Sequence, residues 1–127
     1  MAYTYEIDVE KRLVTVVVAG VLTAADVQSF RKQVAADPRF SPDFAQLNDL
    51  TEVTRVDTDP MSVQQLASST HRRGPVRVAV VTKRPEVIGV ARMFETYQRV
   101  AGLQERMRIF EKRDAALAWL LDDQAAV

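Results

Sequence analysis

The chain has 127 residues, with 17 Lys and Arg against 17 Asp and Glu, one His and no Cys. That length fits a single domain spanning residues 1–127. Zero formal charge argues against a general nucleic-acid binder, which needs surplus cations to neutralise phosphates; the missing thiols and the single His exclude disulfides, thiolate metal sites and multi-His clusters.

Residues 3–9 alternate large apolar with polar side chains and predict a half-buried strand. After a short polar break at Glu10 and Lys11, residues 12–19 are β-branched and predict a second, buried strand. The two strands form an antiparallel hairpin, although Glu-Lys is not favoured turn chemistry. Gly20 ends the second strand. Thr23, with Asp26 three residues on, reads as a helix cap, followed by Val27, Phe30 and Val34 at helical spacing. Asp37 and Pro38 stop that helix.

Residues 44–50 predict a third strand and residues 51–58 a loop. Asp59 followed by Pro60 predicts the cap and first position of a helix running to about Thr70. Gly74 and Pro75 break the chain, and residues 76–81 are the fourth strand. Pro85 opens a helix with Val87, Val90, Ala91, Phe94 and Ala101 on one stripe, closed by Gly102. Residues 106–110 predict a short fifth strand and residues 115–121 a closing helix, with fraying expected over 124–127.

The fold class is therefore α/β, in the order ββαβαβαβα. The expected architecture is a single open mixed sheet, mostly parallel, with an N-terminal antiparallel hairpin and four helices. Helices are expected to crowd one sheet face and leave the other thinner. Val76, Val78 and Val80 share one face of the fourth strand; Arg77, Ala79 and Val81 share the other. No apolar run approaches the roughly 20 residues that span a bilayer, and the first residues lack a signal-peptide pattern. A cytoplasmic location without an integral membrane segment is expected.

This order, with Gly20-Val21-Leu22-Thr23, the strand end at Asp49 and Leu50, and Ala118-Trp119-Leu120 near the close, resembles the STAS superfamily of anti-sigma-factor antagonists. Within it the chain is most similar to the SpoIIAA-like group of small stand-alone bacterial proteins, linked structurally to Sec14-type lipid carriers. The resemblance implies a regulatory domain that binds a protein partner through its second helix and the preceding loop. It also aligns Asp57 with the family Asp, Thr58 with the first Ser, Asp59 with the phosphorylated Ser and Pro60 with Gly. Asp59 is a fixed negative charge and accepts no phosphoryl switch, while Thr58 keeps a hydroxyl one residue away. The plain alternative is that Thr58 and Asp59 only cap the helix.

Other candidates carry their own alternatives. Lys83 and Arg84 precede the third helix at the carboxyl end of a strand, where anions bind in open α/β sheets; a solvated charge pair explains them equally simply. Ile88, Met93 and Tyr97 lie off the main apolar stripe and suggest a pocket wall or deeper packing. His71, Arg72 and Arg73 suggest an anion contact or cations at a helix C-terminus. Trp119 reads as core, and Asp49, Asp57 and Asp59 as loop caps rather than catalytic acids.

The leading expectation is a non-enzymatic STAS-type module that needs no cofactor or metal. It binds an unidentified protein partner through residues 58–66, with Asp57, Thr58, Asp59 and Ser62 in contact; a second copy of the chain is one candidate. The other expectation is a carrier or sensor of a lipid-like or acidic small molecule held between helices and sheet. Lys83 and Arg84 serve as contacts in either case.

Overall fold

The computed structural model describes residues 3–69, 76–102 and 106–122. Strands β1 (Tyr3–Asp8) and β2 (Leu13–Thr23) precede helix α1 (Ala24–Ala36) and strand β3 (Ala45–Asp57). Then come α2 (Pro60–Ser68), β4 (Arg77–Val81), α3 (Pro85–Val100), β5 (Arg106–Phe110) and α4 (Arg113–Leu120). The sheet runs in sequence order, β1-β2-β3-β4-β5, antiparallel between β1 and β2 and parallel elsewhere. The expected element order and mixed sheet are thus both present.

Sequential order explains the layering. Right-handed crossovers that step in one direction place every crossover helix on the same face. Helices α1, α2 and α3 are those crossovers. The terminal α4 joins no strands and is free to cover the opposite face, where it packs on β3, β4 and β5. Leu13, Leu47, Ala79 and Val81 meet Ala116 and Leu120 there. On the crossover face, Val14, Val16 and Val18 of β2 meet Phe30 and Val34 of α1, while Val78, Val80 and Met107 meet Ala91 of α3. All of β4 is buried because both its faces are covered.

Two sequence expectations are corrected. Gly20 does not end the second strand, and residues 51–57 are not a loop. Strand β2 continues to Thr23, paired with β3 from Ala19 opposite Glu52 to Thr23 opposite Asp57. Register shifts flank Gly20, which has φ +77°. Glycine adopts that angle without steric cost, so it takes up the irregularity that lets pairing resume. The resulting ribbon reaches past β1 and β4, whose pairings stop at Val18 and Asp49. It carries residues 57–59 out above the crossover face. The hairpin turn is also longer than expected: residues 9–12 form it, with Arg12 at φ +54° and Val9 exposed.

Candidate functional site

The segment joining β3 to α2 separates outward from inward groups. Asp59 caps α2: its carboxylate accepts from the Ser62 backbone N–H at 2.8 Å and from Ser62 Oγ at 3.1 Å. The Ser62 backbone bond comes first, and the Ser62 hydroxyl second, in holding the Asp59 carboxyl below its ordinary range. Asp57, Pro60 and Met61 are exposed around it, Met61 at 69%. Thr58 faces the other way. Its Oγ is buried and makes no hydrogen bond among the described residues.

Thr58 belongs to the wall of a pocket of about 140 Å³ between the crossover helices and the sheet. Val27, Phe30 and Val34 line it from α1, Val63 and Leu66 from α2, and Val87, Val90, Ala91 and Phe94 from α3. Val78, Val80 and Met107 form much of the floor. The polar lining residues are Thr23, Arg31, Gln46, Asn48 and Thr58. Gln46 Nε2 donates to Asn48 Oδ1 at 2.6 Å, which fixes the two amides side by side on β3.

Arg31 ties the three helices together. Its Nη1 donates to the Leu66 carbonyl at 2.7 Å, and its guanidinium lies 5.5 Å from the Phe94 ring centroid. That carbonyl sits near the negative end of α2, where a cation is favourable. Sequence reasoning missed Arg31, because an Arg on a helix ordinarily reads as solvated. It also missed Gln46 and Asn48, whose inward placement follows only from the strand's register. The apolar wall residues of α1 and α3 were visible as stripes, but not the space between them.

The remaining sequence candidates lie elsewhere. Ile88, Met93 and Tyr97 are half-buried and outside the pocket lining, because the stripe through Val87, Val90, Ala91 and Phe94 turns toward it. Lys83 and Arg84 are exposed on the β4–α3 loop and outside the lining as well. Arg84 pairs with Glu86 at 3.6 Å, and its N–H donates to Thr82 Oγ1 at 3.2 Å. Asp49 accepts from Thr51 and pairs with Arg113 at 3.4 Å. Among the described residues no group of three or more His, Asp or Glu is placed to hold a metal. Trp119 is half-buried, packed against the α4-face core with its ring tilted 42° to that of Phe110. His71, Arg72 and Arg73 lie outside the described residues.

A family model described as SpoIIAA-like matches residues 13–121. No curated protein matches the chain. A crystal structure of an uncharacterized protein of the DUF3478 family from Shewanella loihica PV-4, with a SpoIIAA-like fold, superposes with a TM-score of 0.63. It is 17% identical, and the superposition covers 94% of each chain.

Proposed function

The chain belongs to the SpoIIAA-like family, and from that premise we propose that it is a non-enzymatic STAS-type regulatory module that responds to a small molecule held between its crossover helices and the sheet. The observation that carries this reading is the mainly apolar pocket of about 140 Å³. A cavity of about 150 Å³ lined by Leu, Ile and Phe holds benzene. Pockets for drug-sized ligands are larger, roughly 300–1,000 Å³. The volume therefore favours a compact molecule over a long lipid chain.

Shrinking the pocket tests this. Ala91→Leu adds bulk to the wall with a helix-favouring residue. It is expected to leave the fold unchanged to about 1 kcal/mol more stable, as cavity filling commonly does. Toluene is expected to raise the melting temperature of the wild type and not that of Ala91→Leu. An equal response of both proteins contradicts the reading.

A second reading, docking of a protein partner, is favoured by the exposed Pro60 and Met61 that follow the exposed Asp57 and Asp59 at the start of α2. A second copy of the chain is the first partner to test. Sedimentation velocity should then show a wild-type dimer that Met61→Asp dissociates. A monomeric wild type removes that partner.

A further inference from the structure

We infer that Asn48 and Thr58 select the ligand, and that it is a compact, uncharged molecule with an apolar body and a single hydroxyl or carbonyl group. This rests on the pocket being a ligand site. The apolar wall sets the body, as hydrocarbon surface gains by leaving water. The polar lining sets the rest.

The polar lining residues are not equivalent. The Arg31 guanidinium is taken up by the Leu66 carbonyl and the Phe94 ring, in a position that holds helices together. A buried carboxylate needs a dedicated partner to offset its desolvation. Arg31 is the one charged residue in this lining, and an acid would have to draw it off the Leu66 carbonyl and the Phe94 ring, so an acid is disfavoured. Thr23 caps α1: its Oγ accepts from the Asp26 N–H at 3.1 Å and donates to the Asp26 carboxylate at 3.0 Å.

Asn48 and Thr58 have capacity to spare. The Asn48 oxygen is occupied by Gln46. That bond orients the amide, and the Asn48 nitrogen makes no hydrogen bond among the described residues. Thr58 Oγ is buried in the wall with no hydrogen bond there. A polar group of a bound molecule that reaches this Oγ supplies the partner it lacks. A hydroxyl or carbonyl of a ligand matches both groups, since an amide nitrogen donates and a threonine hydroxyl both donates and accepts. The same loop places Thr58 inside and the Asp59 cap outside, so occupancy of the pocket bears directly on the start of α2.

Three probes of similar size separate the terms: toluene, benzyl alcohol and benzoate, titrated by heteronuclear NMR. The proteins are the wild type, Thr58→Val and Asn48→Leu. Both substitutions keep shape while removing polarity, and Asp59 still caps α2 in each. The wild type should bind toluene and benzyl alcohol saturably and benzoate much more weakly. In at least one variant benzyl alcohol should lose roughly tenfold in affinity, the scale of an unmade buried hydrogen bond, while toluene stays within about twofold. If benzyl alcohol holds its affinity in both variants, the assignment of Asn48 and Thr58 is overturned and the pocket reading survives. Benzoate binding as tightly as benzyl alcohol overturns the uncharged class. If none of the three binds the wild type, the pocket reading itself fails and this inference with it.

Discussion

The two faces of the sheet are built from the same kind of residue and end differently. One helix, α4, covers its side over β3, β4 and β5, where Ala79, Val81 and Leu47 of the sheet meet Ala116 and Leu120, and leaves an open, half-polar groove beside it over β1 and β2. Three helices cover the other side, and between them a pocket of about 140 Å³ stays open. A lone helix can settle until its ridge fills the available groove. Three crossover helices are each fixed at both ends to neighbouring strands, and none can move inward without shifting the others. Space on the crossover face is thus a product of connectivity, and Arg31 holds it by joining α1 to the end of α2 and the ring of Phe94 on α3.

Adjacent positions of one strand allow the sharpest attempt to break this contrast. Val81 is 1% exposed and faces α4; Val80 is 4% exposed and lines the pocket. Val81→Ala should cost about 2–3 kcal/mol, transfer plus a new cavity. Val80→Ala should cost about 1–2 kcal/mol, mostly transfer, because the space it leaves merges with space already there. Urea unfolding measures both, and equal costs would mean that the two faces are equally well filled.

The next effect sharpens how the closed face is fastened. Arg77 is 7% exposed on β4, and its Nη1 donates to the carbonyls of Trp119 and Asp122, each at 2.7 Å. Its guanidinium also lies 5.7 Å from the Trp119 ring centroid. These bonds occupy the Trp119 carbonyl in the last turn of α4, where carbonyls lack intrahelical partners, and the Asp122 carbonyl just beyond the helix. Arg77→Met keeps the stem and removes the donors. It should cost about 1–3 kcal/mol and increase amide exchange in α4 while leaving that of α1 unchanged.

The smallest effect concerns acid, on the crossover side. Asp37, just after α1, accepts from Arg39 Nε and Nη2 and from the Tyr5 hydroxyl. The Arg39 side chain comes first in holding its carboxyl well below the ordinary 3.8. A carboxyl lowered in the folded state adds stability that is complete above 3.8 and is lost as pH falls through the folded value. Asp37→Asn lacks that contribution at every pH. Its melting temperature should therefore lie below the wild type's near neutrality, and the gap should close as pH falls below 3.8. A gap that stays constant into acid would mean that the Asp37 charge does not contribute.

Much of this architecture was legible in the chain. Period-two alternation marked β1, β-branched runs marked β2 and β4, and the pairs Asp59 with Pro60 and Thr23 with Asp26 marked two helix starts. The ribbon beyond Gly20 was hidden because residues 51–57 are mostly polar and their two apolar residues, Val53 and Val56, are three apart and break the period of two. They become a strand only through pairing with β2, and a glycine inside a strand reads locally as its end. The site was legible only in part. The sequence pointed to residues 57–59 through a resemblance, but which of them faces inward depends on register. Asp59 faces out because it caps a helix; Thr58, one residue earlier, must then face in. The pocket itself belongs to no segment. It arises from distances among three helices, each reading as ordinary amphipathic core.

The most direct test places a compact probe in that space. Nuclear Overhauser contacts between benzyl alcohol and the methyl groups of Val80, Ala91 and Leu66 should appear at saturating probe, and should vanish in Ala91→Leu. Contacts confined to exposed side chains such as Met61 and Val100, with none to Val80 or Ala91, would contradict the account.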